Sequence, residues 1–115
     1  MTDTQTNRPR LTLFDLDHTL LPIDSDYEWG EFTIRIGWND PVEFARRNDE
    51  FYAHYQAGTL DVHDYVRFAI EAVRQRGPEA AAAAHAQFMR EVIEPAIQPQ
   101  ACDLLRQHQA AGDEV

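Results

Sequence analysis

The chain has 115 residues and is 43% apolar, enough for one domain-sized core. Ten arginines and no lysine stand against 20 Asp and Glu, a formal net charge of −10. This balance repels nucleic acid and anionic membranes, which need clustered cations, and favours metal ions or cationic groups as partners. The opening MTDTQTNRPR lacks the apolar centre of a signal peptide, and no stretch approaches the roughly 20 apolar residues of a membrane span, so a soluble cytoplasmic protein is expected. The single cysteine, Cys102, excludes an internal disulfide and reads as a buried structural thiol.

After a polar lead-in, Leu11–Phe14 is a short apolar run of the kind a fully covered strand shows, and it is the only strand expected. Helical punctuation follows. A first helix is predicted over Asp26–Ile36, with Gly37 at its end. Asp40 and Pro41 open a second, as N-cap and first helical residue, which runs to about Gln56 before Gly58. Asp61 caps a third, closed by Gly77. Pro78 starts a fourth that passes through the alanines of 80–84 and stops near Pro95; alanine favours helix and allows close helix contact. Pro99 opens a fifth, capped by Gly112. Trp29, Trp38, Phe51, Tyr52, Tyr55 and Phe68 are expected to fill the helical core. The ending, Asp113-Glu114-Val115, is how an α/β unit enters its next strand. Because Leu11–Phe14 lacks visible strand partners, the 115 residues are expected to be the front piece of a larger protein.

The chemistry-bearing stretch is LTLFDLDHTLL, residues 11–21. Residues i and i+2 of a strand share a side, so Asp15 and Asp17 can face one site where the strand opens into its loop, the usual ligand position in parallel α/β sheets. Two such carboxylates can provide an ionised nucleophile, a protonatable partner and hard oxygen ligands for Mg²⁺. Backbone N–H groups of the loop can hold phosphate oxygens. An Asp-x-Asp-x-Thr match arises from composition alone roughly once in sixteen such chains; requiring the flanking apolar residues lowers that to a few in a thousand. The competing reading is a polar turn capping a helix, within a non-enzymatic helical binding or dimerisation module. His18 alternates away from the pair and reads as a surface or packing residue.

These residues resemble the first signature motif of the haloacid dehalogenase superfamily, and the layout is similar to its phosphoserine phosphatase-like branch. The resemblance implies an α/β fold: a Rossmann-like core, partly present in 1–23 and 96–115, with a helical-bundle cap inserted over 24–95. It implies Asp15 as nucleophile and Mg²⁺ ligand, Asp17 as general acid/base with its backbone carbonyl also on the metal, and Leu16 and Thr19 in the phosphate loop, which Thr19 orders by hydrogen bonding. Counting nine residues from Asp15, where phosphoserine phosphatases keep a glutamate for the substrate's ammonium group, reaches Asp24. Asp24 either recognises an amine-bearing phosphomonoester, phosphoserine- or histidinol-phosphate-like, or caps the first helix. The partner so implied is a small phosphorylated metabolite. A phosphate-binding Ser or Thr, a Lys and further metal-binding acids are expected beyond Val115, so this segment alone is expected to be inactive.

Overall fold

A computed structural model of the chain describes residues 8–115. They form six α-helices: α1 (Ser25–Arg35), α2 (Pro41–Ala57), α3 (Val62–Arg76), α4 (Pro78–Phe88), the three-residue α5 (Glu94–Ala96) and α6 (Pro99–Ala110). The capping residues act as their chemistry requires. Asp40 accepts a 2.9 Å bond from the Glu43 N–H, and Asp61 accepts from His63 and Asp64 at 2.9 and 3.3 Å. No helix among the described residues is long and apolar enough to cross a membrane.

The fourth predicted helix is not continuous to Pro95. After α4 the backbone widens into a π-helical turn, Met89–Ile93, before α5. Pro95 lacks an N–H and its ring would crowd the carbonyl four residues back in a continuous α-helix, so it is tolerated only in the first turn of the new helix α5, and the wider turn precedes it.

By its contacts the chain divides into two compact units, Asp26–Arg90 and a second made of the chain through Ser25 together with Glu91–Val115. In Asp26–Arg90 the core is aromatic. Phe32 of α1 is fully buried and packs on Trp29 and on Phe88 of α4, with ring centroids 5.6 and 5.4 Å apart. Phe68 of α3 stacks against Phe44 and Phe51 of α2, each at 5.1 Å. Gly30 lets α2 come close, because a Cβ there would lie 3.1 Å from the Phe44 ring. The alanine run supplies one contact face: Ala84 is buried, as is Ala72 of α3, and α3 and α4 make the most extensive helix pairing. Tyr52 and Tyr55 depart from the expected core: both are exposed, at 59% and 68%, and stack on each other along α2. Tyr52 is about 100° around α2 from Phe51, and Tyr55, one turn beyond Phe51, stands in the last turn of the helix.

In the second unit, Leu11–Phe14 is not a strand with a ladder, and it is not covered on both faces. One parallel rung joins Leu11 to Glu114, through Thr12 N–H to Glu114 C=O and Glu114 N–H to Arg10 C=O, both 2.7 Å. The partner segment offers no second rung. Thr12 and Phe14 are half-buried, Phe14 edge-on to His108 at 5.4 Å, while Leu11 and Leu13 are 68% and 81% exposed. Cys102 is half-buried rather than buried.

Asp113 secures this rung. Gly112, at φ 89°, ends α6 in a left-handed turn, with the Gly112 N–H bonded to Gln109 C=O and the Asp113 N–H to His108 C=O. The buried Asp113 carboxylate then accepts from His108 Nδ1 at 2.8 Å and from Thr12 Oγ1 and Arg10 Nε at 3.1 Å. These bonds, that of His108 foremost, hold its pKa below the usual carboxylate value.

Two consequences are measurable. Phe32→Ala leaves a cavity at the only fully buried large side chain among the described residues, and chemical denaturation should register a loss of about 3–5 kcal/mol. Since the folded pKa of Asp113 is depressed, its contribution is present above its unfolded pKa and lost as pH falls through the lower folded one. Asp113→Asn should therefore lower the melting temperature at pH 7 and flatten its decline below about pH 4; unchanged melting curves across that range would contradict the role.

Candidate active site

The rung at Leu11 delivers the chain to a tight loop. The Leu16 carbonyl accepts from the Thr19 and Leu21 N–H groups at 3.2 and 3.0 Å, and the His18 N–H donates to Ile23 C=O at 3.2 Å. Leu21, beneath the turn, is buried. His18 sits at φ 56°, a left-handed conformation that histidine tolerates better than most side chains and that marks a constrained loop. The sequence placed His18 as a bystander; its backbone is what turns the loop.

Asp15 is exposed, its Oδ1 receiving the Leu16 N–H at 3.0 Å and its Oδ2 the Thr19 hydroxyl at 3.4 Å. Three of the expected site residues, Asp15, Leu16 and Thr19, are thus joined directly. Asp17 is half-buried and turned to a different partner: its Oδ1 accepts from Ser25 Oγ at 2.6 Å and from the Ser25 N–H at 3.1 Å. The hydroxyl bond first, then the backbone bond, stabilises the carboxylate and lowers its pKa. Asp24 is exposed and directly precedes α1. Its neighbour Asp26 receives the Tyr65 hydroxyl at 2.9 Å.

Ser25 was not anticipated as a site residue. The only signal for it was its type at a helix start, where serine ordinarily caps its own helix; that it would instead satisfy a carboxylate eight residues back required the loop geometry.

The donors suit a hard cation. Asp15 offers carboxylate oxygens and Asp17 a backbone carbonyl, while Asp17 Oδ2 accepts no hydrogen bond from the described residues, which leaves that oxygen for proton transfer. No group of three or more His, Cys, Asp or Glu among the described residues could hold a metal ion by itself.

Comparison with known proteins decides the family. The model of the haloacid dehalogenase-like hydrolases matches residues 12–115, which includes the whole Asp15 loop and every helix. The chain belongs to that family. It is 39% identical over 104 residues to a histidinol-phosphatase of Neisseria meningitidis serogroup C (strain 8013), a match covering 90% of this chain and 47% of that protein. It also resembles a crystal structure of a protein with unknown function from Bordetella pertussis Tohama I, with a TM-score of 0.80 and 46% identity over 93% of this chain and 48% of the other. The haloacid dehalogenase-like chain thus spans about half the length of each of these relatives.

The Asp17–Ser25 contact yields a direct test. Ser25→Ala removes the stronger of two bonds that favour ionised Asp17, so in metal-free protein the Asp17 pKa should rise toward its ordinary value of about 3.9. Carboxyl-carbon NMR titration reads this shift, and an unmoved titration would contradict the contact.

Proposed function

We propose that this chain carries the nucleophilic half of a Mg²⁺-dependent phosphatase acting on a small, amine-bearing phosphomonoester. The observation that carries the reading is Asp15: a carboxylate held by the Leu16 N–H and the Thr19 hydroxyl, two residues from a second carboxylate in a different environment. The likeness to a histidinol-phosphatase supports the same substrate class.

In this reading an Asp15 oxygen attacks phosphorus, forming an aspartyl phosphate as the bond to the leaving oxygen breaks. Protonated Asp17 donates its proton to that oxygen. Asp17, now ionised, takes a proton from water as the water's oxygen attacks phosphorus, the bond to Asp15 breaks and inorganic phosphate leaves. Ser25 favours the ionised state, which suits the second step. The first step needs a proton on Asp17, so productive binding of substrate exchanges the Ser25 bonds for one to the leaving oxygen. The Asp15 carboxylate and the Asp17 backbone carbonyl would hold Mg²⁺, which when bound offsets repulsion between the Asp15 carboxylate and the phosphate. The Leu16 N–H exchanges its bond to Asp15 for one to a phosphate oxygen, and Thr19 keeps the loop in order through its bonds to Leu16 and Asp15. The helices within 24–95 act as the cap, and Asp24 at its entrance binds the substrate's ammonium group. The chain has no lysine, so a lysine that steadies the phosphoryl group comes from outside these residues.

The test is a Mg²⁺-dependent assay on the full-length protein with histidinol phosphate and related amino-alcohol phosphates. Asp15→Asn should remove turnover, and Asp17→Asn should lower kcat by about 10²–10⁴ with folding retained. Asp24→Ala should narrow the preference for amine-bearing over amine-free phosphates. Full activity in Asp15→Asn ends the proposal, while an unaltered substrate ranking in Asp24→Ala removes only the amine contact.

A further inference from the structure

Within Asp26–Arg90, α2 and α3 enclose an open groove of about 680 Å³, inside the roughly 300–1,000 Å³ of small-molecule sites. From α2 come Arg47 and Phe51, one turn apart; from α3 come Asp64, Arg67, Glu71 and Arg74, whose spacing of three and four puts them on one face. Three of the chain's ten arginines therefore line one groove, in a protein of net charge −10.

Their engagement differs. Arg47 is fixed: its Nη1 lies 2.7 Å from Glu71 Oε2 and its guanidinium 4.7 Å over the Phe68 ring. Arg67 is paired with Asp64 at 3.1 Å, but the two side chains are 72% and 55% exposed, so water screens the pair and a competing anion displaces it at little cost. Arg74 has no acidic partner among the described residues. Guanidiniums take carboxylate or phosphate oxygens through a planar fork, and the half-buried ring of Phe51 offers an apolar wall beside them.

We infer that the groove between α2 and α3 binds a small organic anion, with a carboxylate or phosphate head on Arg67 and Arg74 and a flat apolar body against Phe51. This site shares no residue with the Asp15 loop and does not depend on the proposed reaction.

The full-length protein is titrated with benzoate, phenylphosphonate and inorganic phosphate while the arginine Nε–H and aromatic signals are followed by NMR. Saturable shifts at Arg67, Arg74 and Phe51 below about 10 mM are expected for the two aromatic anions, and weaker ones for inorganic phosphate. The tighter of benzoate and phenylphosphonate identifies the head group. Arg74→Ala, at a position that packs on no other helix's ion pair, should weaken that binding at least tenfold, with Arg74→Lys intermediate. Absence of saturable shifts at these residues, or binding that survives Arg74→Ala unchanged, overturns the inference.

Discussion

The Asp15 loop is held in place by a carboxylate distant from it in sequence. Among the described residues one parallel rung, Leu11 to Glu114, is all the sheet pairing between the N-terminal segment and the chain after α6, and two backbone bonds do little to fix a segment's direction. Asp113 supplies the rest. As an acceptor-only group with a 3% exposed side chain, it is costly to bury unless its lone pairs are filled. Its donors come from both sides of the rung: Arg10 and Thr12 from the N-terminal segment, His108 from the last full turn of α6. The left-handed turn at Gly112 aims the carboxylate back at His108, where helix caps of this kind more often place an apolar contact. The chain that emerges after Phe14 therefore starts from a defined point.

From that point the loop gives two like groups unlike surroundings. Asp15 lies exposed against a short-range N–H and a hydroxyl, while Asp17 turns toward Ser25 and is held ionised. Separate environments are how two carboxylates in one site come to play separate parts. The division follows from one backbone feature, the left-handed His18, which reverses the chain between Asp17 and Thr19. Thr19 thereby faces back on Asp15, and Asp17 is left for the start of α1.

What could be read in advance follows the range of the forces involved. Asp40 with Pro41, Asp61, Gly58 and Gly77 act within a turn of their own positions, so the helix limits they imply agree with α2 and α3 to within a residue or two. The Asp-x-Asp-x-Thr motif is equally local, and its Asp15–Thr19 contact forms within five residues. Features built by distant partners were not legible. Asp113 looked like a residue on the way into a strand, and its three donors include two about a hundred residues away. The π-helical turn is a change of hydrogen-bond spacing just before Pro95, which the residue pattern of the fourth helix does not encode. Tyr52 and Tyr55 have the apolar character of core residues, and the pattern along α2 does not say that Phe68 of α3 meets Phe44 and Phe51 and leaves the two tyrosines exposed.

The two units differ in what holds them, and the difference bears on the loop. Asp26–Arg90 contains the buried aromatic rings, whereas the unit carrying Asp15 buries, among its described large apolar side chains, only Leu21 and Ile93 and relies on Asp113. Leu11 and Leu13, on the uncovered face of the segment leading to Asp15, remain in water. Burying a leucine stabilises by about 1.5–3 kcal/mol, so a layer laid over that face would firm the approach to the nucleophile through the side chains that now contribute least. The polar clamp at Asp113 fixes where the segment begins; cover over Leu11 and Leu13 is what would make its far end, and the carboxylate on it, equally rigid.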